Sequence, residues 1–161
     1  MYLVGSIRDN NLEDVEWREE AIKRLSKKMI LLNPLAEKHF DEETKTWDIV
    51  GVKSSAELIF KQDKWCVDNS DIILANLLCL ADEYPTIGSL LELGRAWAKE
   101  KLIYLIVPKG YKGHEQSVKM YKLHPFLHGI AAHVFNSVEE SLDYLEVYLD
   151  VLNGTKPSYR K

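Results

Sequence analysis

The sequence contains little cysteine, with only Cys66 and Cys79 in 161 residues. Both lie inside apolar runs and do not form a closely spaced pair, which argues against a disulfide framework or a zinc site and predicts two buried thiols. The five histidines show no spacing typical of metal ligands. We therefore expect no metal ion at the functional site.

Long apolar runs and an excess of positive charge are also missing. No run approaches the ~20 residues of a membrane span, and the first residues lack the regions of a signal peptide. The net charge is minus four, which argues against a nucleic-acid polymer as partner but allows a small anion to bind locally. Gly-x-Gly-x-x-Gly and Walker patterns do not occur. We expect a cytoplasmic protein that has no membrane partner and no cofactor.

What the sequence does contain is a regular alternation of apolar runs and amphipathic stretches. With 46% apolar and 29% charged residues, it is typical of a single globular domain, here residues 1–153, followed by a polar tail at 154–161. Five short apolar runs read as strands: 2–4, 29–32, 71–78, 102–107 and 132–135. Helical segments separate them, so the sequence predicts an α/β fold of flavodoxin-like (Rossmann-like) type, with a five-stranded parallel sheet and helices on both faces.

Three of the other segments also give structural predictions. The first predicted helix, 12–28, has an apolar stripe of Val15, Ile22 and Leu25 that should face the sheet. Residues 35–53 show no clear period and predict a long loop, which serves as a lid or a subunit contact or is only an excursion of the chain. The spacing Ser137-x-x-Glu140 predicts a capping box at the start of the last helix.

The stretch that follows the third predicted strand contains the main candidate for a functional residue. Residues 85–89 predict a loop and Leu90 onward a helix, which puts Glu92 in a first helical turn at the end of the sheet where α/β proteins bind ligands. Ser89-x-x-Glu92 is also a capping box, a purely structural role that this stretch alone favours. Against it, the small residues Gly88, Gly94 and Ala96 leave a gap beside the carboxylate.

Two further segments have a structural and a functional interpretation. Asp63 lies on a helix face with apolar neighbours, so it is either solvated at the edge of that face or directed into a pocket, where burial would raise its pKa toward that of a useful acid. The loop at residues 5–8 follows the first strand. Its amides and Arg8 suit a small anion, although a structural turn with an exposed arginine is at least as compatible with these residues.

Three separated motifs together resemble the nucleoside 2-deoxyribosyltransferase superfamily, which includes the 2′-deoxynucleoside 5′-monophosphate N-glycosidases. The motifs are residues 2–8, which contain Gly5-Ser6-Ile7-Arg8, then Asp63 shortly before the strand at residue 71, and residues 86–96 around Glu92. The resemblance covers residues 2 to about 107 and extends to the last third only as a general pattern of strands and helices.

The resemblance implies a retaining transfer at C1′ of a 2-deoxyribonucleoside. Glu92 matches the nucleophile that forms a covalent deoxyribosyl-enzyme, Asp63 a carboxylate that helps protonate the departing base, and Tyr2 a tyrosine that positions the nucleophile. Two such carboxylates, one ionised and one protonated, suit an oxocarbenium-like transition state. Ser89 and the helix N-terminus would help to keep Glu92 ionised.

The resemblance also implies a set of substrate-binding residues. The loop at the sugar and its 5′ end is matched by Gly5, Ser6, Ile7 and Arg8, and the sequence of this loop is closer to that of the monophosphate hydrolases. The substrate-binding set also includes Gly88 and Ser89, which lie beside Glu92. Thr86 stands where the transferases carry aspartate and the hydrolases serine. A residue from a neighbouring subunit, in the region 120–128, would complete the site of a homodimer or larger homo-oligomer.

We expect a transferase that passes the deoxyribosyl group from one nucleobase to another. The close alternative is an N-glycosidase that passes it to water, on a deoxynucleoside 5′-monophosphate. The partners would be a deoxynucleoside or deoxynucleotide and, for transfer, a free nucleobase. An alternative of another class is a nucleotide-binding module without turnover, in which Glu92 is only a helix cap.

Overall fold

The structure is a computed structural model that describes residues 1–7, 13–36, 38–41, 46–49, 55–82, 86–109 and 125–155, with backbone alone for 38–41, 46–49, 81–82 and 125. Its strands are β1 Tyr2–Gly5, β2 Lys38–Asp41, β3 Thr46–Ile49, β4 Ile72–Asn76, β5 Leu102–Ile106 and β6 His133–Phe135. Its α-helices are α1 Glu13–Leu25, α2 Ala56–Asp68, α3 Ile87–Ala98, α4 Pro125–Ile130 and α5 Val138–Leu152, and a short 3-10 helix, Leu78–Asp82, follows β4.

Four of these strands form a parallel sheet in the order β1-β4-β5-β6. Successive side chains alternate between its faces: Leu3 and Leu74 pack with α1 and α5, whereas Val4 and Ile73 pack with α2 and α3. Because both faces are covered, the strands are almost entirely apolar. The predicted α/β class with helices on both faces is confirmed.

The prediction of a fifth strand at residues 29–32 is wrong. Met29 still donates a backbone hydrogen bond to Leu25 of α1, and Ile30 is 81% exposed. Leu32 reaches the sheet through a single parallel bridge to Tyr2, and the Ile30 carbonyl accepts a bond from the amino group of Met1, which precedes β1. Immediately afterwards the side chain of Asn33 accepts a bond from the Leu35 amide and turns the chain. The apolar run is therefore too short, between a helix end and a turn, to form a regular strand.

The buried face of α1 differs from the predicted apolar stripe. Leu25 is buried, but Val15 and Ile22 are only partly so, and the fully covered face also carries Arg18 and Arg24. Arg24 reaches α5, where it donates to Asp143 at 2.5 Å and to Glu146 at 2.8 Å. These carboxylates raise the pKa of Arg24, so its guanidinium stays charged at any ordinary pH. The face is rotated because carboxylates on α5 accept from Arg24 and backbone carbonyls accept from Arg18, two arginines that a hydrophobicity pattern assigns to solvent.

The remaining predicted segments have mixed outcomes. Within residues 35–53, β2 and β3 pair as an antiparallel hairpin, so the prediction of a structureless loop is wrong there, while its role as a lid or contact stays a prediction. The predicted cap of the last helix is confirmed at Ser137, which accepts from the Glu140 amide at 3.1 Å, but the Glu140 side chain accepts from the Asn136 amide at 2.9 Å and not from the N-cap amide that a full capping box requires. Cys66 and Cys79 are buried free thiols, as predicted.

Among the described residues, no helix is long and apolar enough to cross a membrane. Residues 156–161 of the predicted tail lie outside the described residues.

Candidate active site

A cavity of about 300 Å³ opens between α2, α3 and the loop that follows β1. It forms on the α2 and α3 face of the sheet, beside the edge strand β1. Every predicted site residue whose position the structure describes lines it: Tyr2, Gly5, Ser6, Ile7, Asp63, Thr86, Gly88, Ser89 and Glu92. Arg8 lies outside the described residues. Residues far apart in the sequence are thus brought to one cavity of the size of a small-molecule site.

A hydrogen bond at this cavity joins Tyr2 to Glu92. The Tyr2 hydroxyl donates a hydrogen bond of 2.7 Å to Oε1 of Glu92. Tyr2 is almost completely buried in β1, so its ring is fixed by the packing of the sheet. The bond therefore holds the Glu92 carboxylate in one orientation, from a rigid strand.

The capping interpretation of Glu92 is wrong. Helix α3 begins at Ile87 with Thr86 as N-cap, so Glu92 lies in the second turn and not in the first. Ser89 is inside the helix and buried at the cavity. A capping box requires the serine at the N-cap and the glutamate three residues later. Neither Ser89 nor Glu92 occupies its place in such a box.

The electrostatics around Tyr2 show that both predicted catalytic carboxylates lie near it. Burial raises the pKa of Tyr2 far above its usual value, and the negative charges of Glu92 and Asp63 raise it further. Tyr2 is therefore a neutral hydroxyl at any ordinary pH and can only donate to the carboxylate. Asp63, on α2, is partly buried and lines the same cavity.

The small residues of the site have different reasons to be small. A Cβ on Gly5 would lie 3.1 Å from the carbonyl oxygen of Asn76 and 3.2 Å from the Arg18 guanidinium, so a side chain there would require these neighbours to move by a few tenths of an ångström. A Cβ on Gly88 would have no neighbour within 4 Å, so glycine there leaves the cavity open. Gly94 is exposed and Ala96 is in the core, so neither forms the predicted gap beside Glu92.

Two features of the site escaped the sequence analysis. Arg95, which lines the cavity, donates through Nε and a terminal nitrogen to the two carboxylate oxygens of Asp68, at 2.7 and 2.6 Å, and so ties α3 to α2. The Arg95 guanidinium holds the pKa of Asp68 below its usual value. The exposed ring of Phe60 also lines the cavity, one turn before Asp63. The helical spacing from Asp63 to Phe60 was the available signal for the ring, whereas nothing local pairs Arg95 with Asp68.

No protein-family model matches the sequence, and no curated protein matches it. Solved structures do match. The 2-desoxiribosyltransferase of Leishmania mexicana superposes with a TM-score of 0.63 at 18% identity, over 89% of this chain and 94% of that one. The 2-deoxyribosyltransferase of Bacillus psychrosaccharolyticus gives 0.61 at 17% identity, over 99% and 100%. The chain has the fold of the 2-deoxyribosyltransferases.

The same fold occurs in a conserved protein of Enterococcus faecalis V583, with a TM-score of 0.61 at 14% identity, over 89% of this chain and 95% of that one. Identities this low establish the deoxyribosyltransferase fold and not the reaction, since one fold supports many activities. The resemblance stated from the three motifs is thus confirmed as to the fold. The function is therefore inferred from the side chains that line the cavity.

Proposed function

We propose that the protein cleaves the N-glycosidic bond of 2′-deoxyribonucleosides or their 5′-monophosphates through a covalent deoxyribosyl-Glu92 intermediate. The observation that carries the proposal is the 2.7 Å hydrogen bond from buried Tyr2 to Glu92, at a cavity that Asp63 also lines. A neutral phenol bonded to one carboxylate oxygen keeps that group ionised and oriented, as an attacking carboxylate requires. The fold, which is shared with 2-deoxyribosyltransferases, is compatible with this reaction.

In the first step, a carboxylate oxygen of Glu92 attacks C1′ as the bond from C1′ to the base nitrogen breaks. Asp63, in its protonated form, donates its proton to the departing base. This division of roles follows the retaining mechanism of glycoside cleavage, in which one carboxylate is a nucleophile and the other an acid. The products of the step are the free base and an ester between Glu92 and the sugar.

In the second step, an acceptor attacks C1′ from the side that the base has left, and Asp63 takes the proton of the acceptor. The Glu92 carboxylate is thereby restored. When the acceptor is another nucleobase, the reaction is the transfer that we place first. When it is water, the reaction is an N-glycosidase reaction, the close alternative. The two share the first step and differ only in which acceptor the cavity admits.

The N-glycosidase alternative is favoured by the polar groups that line the cavity. Thr86 is buried there as a neutral hydroxyl residue, where the transferases carry a carboxylate. Ser6 and Ile7 line the same space, and successive backbone amides suit a phosphate. These groups support a nucleotide more than a nucleoside.

The test is base release by the purified protein from deoxynucleosides and from deoxynucleoside 5′-monophosphates, with and without a second free base. Formation of a new nucleoside supports transfer, and release that needs the phosphate and ignores the second base supports hydrolysis. If neither occurs with any natural base, and a nucleotide binds wild type and Glu92→Ala equally well, the binding module becomes the better account.

Replacing Tyr2 by phenylalanine removes the hydroxyl and keeps the ring in the core. We expect kcat to fall by about 10- to 100-fold with little change in KM, because the bond orients a charged nucleophile, and the free energy of unfolding to change by about 0.5–1.5 kcal/mol. Steady-state kinetics and urea unfolding measure both. Tyr104→Phe is the matched control, a buried tyrosine on the other sheet face, and should leave kcat unchanged. Equal losses in the two variants would contradict the role of Tyr2.

We further propose that the chain forms a homodimer or larger homo-oligomer. The side of α3 turned away from the sheet exposes Ile87, Leu90, Leu91 and Trp97, which lie along one helical stripe. Because exposed apolar patches of this kind mark interaction surfaces, and because Leu91 also lines the cavity, a second copy seated there would border the site.

Light scattering on the purified protein is expected to give a multiple of the 18.6 kDa chain mass. Trp97→Glu should shift it toward that of one chain, because the substitution would bury a charge in the contact. Val151→Glu, an equally exposed apolar position on α5, should not. A wild-type protein that stays monomeric at micromolar concentration would refute the proposal.

A further inference from the structure

Arg18 lies directly behind the loop that borders the cavity, on the opposite side of β1. Its side chain is fully buried. One terminal nitrogen donates to the Gly5 carbonyl at 2.9 Å, and the other donates to the Ser6 carbonyl at 3.4 Å and to the carbonyl of Asp14. A fully buried charged side chain is rare unless it is paired with polar partners. Here the guanidinium donates hydrogen bonds to two consecutive peptide groups of the loop.

The hydrogen bonds from Arg18 to the Gly5 and Ser6 carbonyls also fix the direction of the neighbouring amides. In a trans peptide the carbonyl of one residue and the amide of the next point in opposite directions, and the described chain has no cis peptide bond. When Arg18 holds the carbonyls of Gly5 and Ser6 on the α1 side, the amides of Ser6 and Ile7 are turned away from α1. The cavity that both residues line is on the other side of the sheet, with α2 and α3.

The charge of Arg18 also belongs to this arrangement. Burial lowers the pKa of Arg18 to about 10, while the nearby acidic groups, among them Asp14, Glu92 and Asp63, act to raise it. The guanidinium is therefore positive at neutral pH. Among the described residues, its Nε has no hydrogen-bond partner, although an unsatisfied buried donor is unfavourable. Burial of a positive charge is unfavourable unless polar partners compensate it, and here the partners are carbonyl groups of the loop and of α1.

We propose that Arg18 is a positioning residue, which holds the Gly5 and Ser6 carbonyls on the α1 side and so turns the Ser6 and Ile7 amides toward the cavity, where they can bind an anionic 5′ group. The inference rests on the proposed function and deepens it, since it assigns the orientation of these two amides to a residue that does not line the cavity. Two successive amides with a buried positive charge behind them suit the oxygens of a phosphate. Glycine at position 5 leaves room for the Arg18 guanidinium, because a Cβ there would lie 3.2 Å from it.

The first experiment needs no variant. Inorganic phosphate and 2-deoxyribose 5-phosphate, neither of which contains a glycosidic base, are added to the ¹⁵N-labelled wild-type protein. The amide resonances of Ser6 and Ile7 are expected to shift and saturate with both probes. Shifts that are absent at these two amides would overturn the proposal.

The second experiment compares Arg18→Met with Arg24→Met. Both arginines are buried on α1, but Arg24 bonds to α5 and not to the loop. We expect Arg18→Met to weaken binding of 2-deoxyribose 5-phosphate by about 10- to 100-fold, the effect of losing charge-assisted positioning, and Arg24→Met to change it by less than about 3-fold. Arg18→Lys, which keeps the charge and loses the fork, should fall between wild type and Arg18→Met. Unchanged affinity in a folded Arg18→Met or Arg18→Lys would refute the role.

Kinetics separate positioning from a general loss of structure. In Arg18→Met the KM for a deoxynucleoside 5′-monophosphate should rise while kcat/KM for the parent deoxynucleoside stays within about 3-fold. Equal losses on both substrates would refute the role. The failure of this inference is distinguishable from that of the proposed function. Phosphate shifts without any base release would refute the function and leave the anion site, whereas base release from nucleosides without phosphate binding would do the reverse.

Discussion

Glu92→Gln is expected to reduce base release by at least about 10³-fold, the scale seen when an enzyme loses the nucleophile of a covalent mechanism. The substitution keeps the length of the side chain, the helix and an oxygen that can accept from Tyr2. It removes only the negative charge that attacks C1′. Base release measured by chromatography should fall while the free energy of unfolding changes by less than about 1.5 kcal/mol.

A covalent adduct provides the direct check on this role. Mass spectrometry of the wild-type protein, quenched during turnover, should show an added deoxyribosyl group in the intact mass, and a digest should place that group on the peptide that contains Glu92. No adduct should form in Glu92→Gln. Glu100→Gln is the control, an exposed glutamate just beyond the end of α3, and should retain full activity. An active Glu92→Gln protein would exclude the covalent mechanism and leave Asp63 to activate water directly.

The sheet was predictable where the sequence contains strong local signals. The runs that became β1, β4 and β5 are almost entirely apolar because both faces of a parallel sheet are covered, whereas the edge strand β6 begins with the exposed His133. The run at 29–32 was equally apolar, yet it lies between the hydrogen bond from Met29 to Leu25 and the turn at Asn33. Strand formation there is decided by the end of a neighbouring helix, which hydrophobicity does not reveal.

Helix starts show the same limit. Ser137 was identified correctly as a cap because its helix begins at Val138, whereas the equally good pattern at Ser89 is inside a helix that begins at Ile87. The pattern of a capping box is identical in both places. Only the position of the helix start decides between them, and Thr86 sets it without any side-chain cap bond.

Within the site, residues of continuous motifs were predictable and the residue behind them was not. The loop at Gly5 and the helix around Glu92 both contain recognisable patterns, and the structure brings both to one cavity. Arg18 is ordinary in sequence, one charged residue among many on α1. Its role depends on two carbonyl groups that no pattern of side chains encodes, so only the folded backbone identifies it.

Asp63→Asn is expected to lower kcat/KM by about 10²- to 10⁴-fold, the usual contribution of a general acid. Asparagine has the same size and can still donate a hydrogen bond, but it has no proton to transfer to the base. The loss should therefore depend on the leaving group. It is measured as kcat/KM for a series of deoxynucleosides, or of their monophosphates, whose bases differ in how readily they leave as anions.

The dependence on the leaving group tests the role more sharply than the size of the loss. With Asp63 present, differences among the bases are small because each base receives a proton as it departs. In Asp63→Asn, bases that are poor anions should lose activity most and good ones least, so the Brønsted slope becomes steeper. Glu57→Gln, an exposed carboxylate in the first turn of the same helix, should leave the slope unchanged. A uniform loss over all bases would instead assign Asp63 to substrate binding, since an effect that ignores the leaving group is not proton transfer to it.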